Sequence, residues 1–228
     1  MSIEEKIRDC EFNLKQINHF NPDPYYVDYF FKAYIQFVID VYYKIFEEAN
    51  GGFGLFVSGK CTKEKFEKKA KEKDDHLALK FLSWFEENYK KEHNGSYPNF
   101  IQETIYFFKQ YNHLPKIIIK IRPNQRYKDD FFQSIQVGLT KGKIRSKKEL
   151  EIEIKRQMPV YLEIINQKRK SRSEPKISKN QIIASAYLEM ENYENMEISH
   201  ACEVYLPVMR RILDESRKEI KQLTSWNG

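Results

Sequence analysis

The sequence predicts a mainly α (α+β) fold: an antiparallel helical bundle with a small antiparallel β insertion before the last helix. Three observations carry this. Eight glycines and eight prolines in 228 residues leave few chain reversals for a turn-rich β sandwich. Long segments repeat apolar residues every three or four positions, the period of a helix with one buried face. After Pro115 that period gives way to short β-branched runs.

Taken in order, Ile3, Ile7, Cys10, Leu14 and Ile17 form one stripe on a helix over residues 2–20, with Glu4, Glu5 and Asp9 near its positive end. Asn21-Pro22-Asp23-Pro24 breaks it. Residues 25–49 carry a wide apolar face from Tyr26 to Phe46, as expected of a central helix. Asn50-Gly51-Gly52 ends it. Thr62 reads as the cap of a single third helix over 63–92, its charged first half projecting into solvent and its second half burying Leu77, Phe81, Trp84 and Phe85. A fourth helix over 98–112 buries Ile101, Thr104, Ile105 and Phe108.

Ile117 to Ile121 reads as a strand, and residues 131–139 alternate like one. Leu150-Glu-Ile-Glu-Ile also alternates, and Pro159 stands against a helix there, which favours strands at about 149–156 and 160–166. Ser146 with Glu149 fits a helix capping box instead. Lys168 to Lys179 reads as a basic loop, residues 182–190 as a strand, and residues 195–223 as a closing helix bent at Pro207. The division that follows is 1–115 bundle, 116–193 basic insertion and 194–228 returning helix.

Charge sharpens that division. The net charge of +6 conceals segments of −2 (residues 1–115), +11 (116–180) and −3 (181–228). Of the 33 aromatic residues, 25 lie in the first segment. A basic segment set apart from an aromatic body suits contact with a polyanion. Lys168, Arg169, Lys170 and Arg172, with Lys141, Lys143, Arg145, Lys147 and Lys148 upstream, are the expected nucleic-acid-binding residues, because such side chains neutralise phosphates.

Other chemistry has little support. Cys10, Cys61 and Cys202 are widely spaced, the five histidines are scattered, and neither Cys-x-x-Cys nor His-x-x-x-His occurs. No metal site, disulfide framework or cofactor is expected. A transmembrane run and a signal-peptide h-region are missing from the sequence, so a cytoplasmic protein is expected. Gly54 to Lys60 fits the spacing of a phosphate-binding loop, but Cys61 stands where Ser or Thr would hold magnesium, and a helix precedes it instead of a strand. Asp23, Asp28, Asp40, Glu47 and Glu48 read as caps or ion-pair partners. His113, ending the fourth helix, could serve as an acid or base, or interact with the helix dipole.

Two stretches carry a resemblance. Tyr25-Tyr-Val-Asp-Tyr-Phe-Phe-Lys-Ala-Tyr34 resembles the second helix of HEPN-type bundles, and residues Ile198 to Leu213 resemble their last helix. His113 stands where those domains place the His of an Arg-x4–6-His signature. The resemblance covers residues 1–115 and 194–223. It implies a helical bundle, often a homodimer, and in active members a metal-independent ribonuclease. Phe108 occupies the place of the Arg, and the nearest base is Lys109, which lacks the planar two-point grip of a guanidinium. The expectation is thus a non-catalytic, dimeric member that binds RNA, DNA or another polyanion. A weak ribonuclease using His113, with Asn112 and Lys109, and a protein–protein adaptor are the alternatives.

Overall fold

A computed structural model describes residues 2–124, 134–137, 147–193 and 196–225. Five helices come first: α1 (Ile3–Phe20), α2 (Pro24–Gly52), α3 (Lys63–Glu72), α4 (His76–Glu92) and α5 (Ser96–Tyr111). Strands β1 (Ile117–Pro123) and β2 (Ile135–Gln136) follow, then α6 (Lys147–Ser171), β3 (Ile182–Leu188) and α7 (Ile198–Thr224). The class expected from the sequence is the one observed, a mainly helical body with a small antiparallel sheet ahead of the last helix.

Local chemistry sets the helix starts. The Ser2 hydroxyl accepts from Glu5 N (3.1 Å) while Glu5 accepts from Ser2 N (2.6 Å), which closes a capping box on α1. Asp23 caps α2 by accepting from Tyr25 N, with Pro24 as the first helical residue. The single helix expected over 63–92 is two. Asp74 adopts φ 51°, in the left-handed region, and Asp75 caps α4 by accepting from Ala78 N at 2.9 Å. Nor does α3 project into solvent. Phe66 and Ala70 are buried, and the Phe66 ring lies 5.6 Å from Phe46 and 5.9 Å from Phe81.

α7 packs against α1, α2, α4 and α5, burying Ala201, Cys202, Tyr205, Met209 and Ile212. Its polar face is pinned by Arg210 to Glu11, Arg211 to Glu92, and Arg217 to both Glu4 and Glu48. At Gly52 the two helices come so close that a Cβ would lie 2.9 Å from Ile220 Cγ2. Pro207 sits in the interior of α7 but on its exposed side.

The sheet has the order β2-β1-β3, antiparallel throughout. Lys120 pairs with both Gln136 and Ser185, and Ile121 with Ile135 and Ala184. Of the alternating segment 131–139, Ile135 and Gln136 form β2, while residues 131–133 and 138–139 lie outside the described residues. A buried ion pair, Arg122 with Glu197, joins β1 to the start of α7. Asn21 adds to this junction, accepting from Ala186 N (2.9 Å) and donating to Glu197 (3.4 Å).

The strands expected at 149–156 and 160–166 are instead one helix, α6. Leu150, Ile154, Tyr161 and Ile165 fall on one helical face, turned toward β1 and β3. The alternation of Leu150, Ile152 and Ile154 fits a strand over five residues, but Ile152 is left exposed. Pro159 removes one helical hydrogen bond and lies on the exposed side. The packing of the buried face outweighs that loss.

Candidate functional site

The residues singled out around α5 do not converge. Asn112 is the left-handed C-cap of the helix (φ 56°), and its backbone N–H donates to Phe108 O. The chain turns there, so His113 leaves the helical path. Its Nδ1 lies 2.9 Å from Leu114 O, and its ring meets Phe107 and Tyr111 at 5.4 and 6.0 Å. Lys109 reaches a different neighbour, with Nζ 5.8 Å from the Tyr43 ring centroid on α2.

The basic residues are better assembled. Lys168 and Lys170 lie in the last turn of α6, with Arg172 just beyond it, so the expected loop begins as helix. The following segment folds back onto the helix. Asn166 donates to Ile177 O (3.0 Å) and accepts from Ile177 N (2.8 Å), a two-point clamp. Arg169 departs from the expected interface. It is buried, donates through Nε to Pro175 O at 2.7 Å, and pairs with Glu174 at 3.2 Å. Around this clamp Lys168, Lys170, Arg172, Lys176 and Lys179 are all exposed. Lys147 and Lys148 are exposed at the other end of α6, and Lys141, Lys143 and Arg145 lie outside the described residues.

The phosphate-loop spacing at Gly54–Lys60 leads elsewhere. Helix α2 precedes it, and Lys60 turns away to Asp40 (3.3 Å) and over the Tyr43 ring (3.8 Å). Cys61 is buried, which pushes its thiol up to about 11. Four of these carboxylates act as caps or ion-pair partners: Asp23 caps α2, Asp40 holds Lys6 and Lys60, Glu47 holds Lys44, and Glu48 holds Arg217.

A cavity of about 500 Å³ lies between α2, α3, α4 and α5. Ile39, Phe46, Phe85 and Ile105 supply its apolar wall, Tyr42, Tyr43 and Tyr89 its aromatic one, and Lys63, Glu64, Glu86, Lys90 and Lys109 its charged rim. Behind Tyr42 runs a chain of hydrogen bonds. The hydroxyls of Tyr42 and Tyr205 are 2.8 Å apart, Tyr205 Oη is 3.0 Å from His93 Nε2, and His93 Nδ1 is 2.7 Å from Tyr89 O.

The carbonyl of Tyr89 can only accept, so Nδ1 carries the proton. Burial lowers the His93 pKa to about 4, which leaves Nε2 an acceptor at neutral pH. Tyr205 therefore donates to His93, and Tyr42 donates to Tyr205. Tyr42 belongs to the wide apolar face expected of residues 25–49. His93 stood among scattered histidines, and the only local signal was its spacing of four from Tyr89 on one helix face.

Among the described residues no group of His, Cys, Asp and Glu is arranged to hold a metal ion. No helix there is long and apolar enough to cross a membrane. No protein-family model matches the chain, and neither a curated protein nor a solved structure is significantly similar to it.

Proposed function

We propose that this protein is a non-catalytic helical-bundle module that binds nucleic acid through the basic end of α6. One observation carries the reading: five exposed basic side chains within twelve residues lie on the last turn of α6 and on the segment clamped back onto it. Cations held on an ordered element track a phosphate backbone with little ordering cost. Contacts of such cations to phosphate carry no sequence information, so the affinity is sequence-independent. The homodimeric state implied by the HEPN likeness belongs to the same reading, and light scattering tests it.

Anisotropy titrations of labelled single-stranded RNA and duplex DNA test the binding. Each cation that neutralises a phosphate steepens the dependence of affinity on salt. With four or five such cations engaged, affinity falls by roughly two to three orders of magnitude between about 50 and 200 mM salt. Salt-independent binding, or binding unchanged by reversing Lys168, Lys170 and Arg172 to Glu, overturns the proposal.

A further inference from the structure

The α2–α5 cavity is remote in sequence from the basic end of α6, and its chemistry is different. Its volume of about 500 Å³ falls within the range of small-molecule sites. Ile39, Phe46, Phe85 and Ile105 are buried, whereas Lys90 and Lys109 on the rim are exposed, so the charged residues mark the mouth.

The rim charges are unequally committed. Glu86 is held by Lys63, whose hydrogen bond keeps its carboxyl below the usual range. Glu64 is held by its own backbone N–H and the Thr62 hydroxyl, with Lys109 adding to the same lowering. The charges of Lys90 and Lys109 help to lower the Glu86 and Glu64 carboxyls, but among the described residues neither lysine is within ion-pair distance of a carboxylate. The mouth thus offers two ammonium groups over an apolar floor.

The inner wall sets a direction. The Tyr42 hydroxyl is committed to Tyr205 and Tyr89 within the wall, so it offers a guest no free donor. An anion pushed inward would lose its hydration with no donor to replace it, whereas at the mouth it meets cations. A flat hydrocarbon ring stacks well on tyrosine and phenylalanine walls.

We propose that this cavity binds a small amphipathic anion, with a planar aromatic body seated among Phe46, Phe85 and Ile105 and one acidic group held at the mouth by Lys90 and Lys109. The site is independent of the basic end of α6, so binding here leaves nucleic-acid affinity unchanged.

The probe is 8-anilinonaphthalene-1-sulfonate, titrated into the full chain and followed by fluorescence. One saturable site is expected. Its uncharged relative N-phenyl-1-naphthylamine binds the same protein at least about fivefold more weakly, because it lacks the group the lysines hold. The double variant Lys90→Glu, Lys109→Glu, at exposed positions that leave the core intact, weakens the anionic probe by at least about fivefold. Ile105→Trp fills the floor and abolishes saturable binding while a cooperative melt is kept. If that variant fails to melt cooperatively, the charge-reversal arm decides alone. Absence of saturable binding, a smaller loss on charge reversal, equal affinity for the uncharged relative, or full binding by a folded Ile105→Trp protein overturns the proposal.

Discussion

Tyr205 Oη on α7 lies 3.0 Å from Nε2 of His93, the C-cap of α4, and this bond couples the core to pH. In the folded chain burial holds the His93 pKa at about 4, against about 6.5 in an unfolded chain. Below pH 6.5 the unfolded chain takes up a proton that the folded one refuses, so stability falls as pH falls from about 6.5 toward 4. At pH 5 the loss is about 2 kcal/mol. Urea unfolding at about pH 7.5 and 5 should show a drop larger by that amount in the wild type than in His93→Phe. Equal drops in the two proteins would remove His93 as the source.

The Arg122–Glu197 pair makes the junction of sheet and α7 sensitive to single substitutions. Burial favours the neutral carboxyl, but the Arg122 charge and the hydrogen bonds from Arg122 and Ser199 outweigh it and keep the Glu197 pKa low. Glu197→Ala leaves a buried guanidinium without its counter-charge, at a cost of roughly 3–5 kcal/mol. Glu197→Gln keeps hydrogen-bonding capacity and should lose less. Thermal melts of the two variants test the order.

Arg169 and its neighbours should separate stability from binding. Arg169→Ala removes the bonds to Pro175 and Glu174, so it should lower the melting temperature. Lys168→Glu and Lys170→Glu, both exposed, should leave the melt within about 0.5 kcal/mol. Each should weaken nucleic-acid binding and reduce the salt slope. The opposite pattern would place the interface elsewhere.

His113 supplies the test of catalysis. It is exposed, and its polar bond is to the neighbouring Leu114 carbonyl. RNA incubated with the wild type in EDTA should stay intact, and His113→Ala should bind and melt as the wild type does. Cleavage in EDTA that disappears in His113→Ala would establish the ribonuclease alternative.

Much of the helical body is legible in the residues. Ile3, Cys10, Leu14 and Ile17, spaced for one face of α1, are all buried. The Asp74–Asp75 break was not legible as a boundary, because the apolar period resumes beyond it and only the capping role of Asp75 marks it. Leu150 to Ile154 misled because five residues satisfy periods of 2 and 3.6 alike. The basic cluster was legible as composition, but the inward turn of Arg169 depends on the return of Glu174 and Pro175. The cavity had no local signature, since its walls come from positions as far apart as Ile39 and Lys109.

The order in which the chain is made bears on α7. Among the five helices over residues 3–111, α1, α2, α4 and α5 pack against α7, yet α7 is synthesised after all of them. Until it arrives, the groove awaiting Cys202, Tyr205, Met209 and Ile212 stays open to water. At about 5–20 residues per second, the gap between the end of α5 and the end of α7 lasts about 6–23 seconds. A stop codon ahead of α7 should therefore yield an aggregating product instead of a smaller folded one.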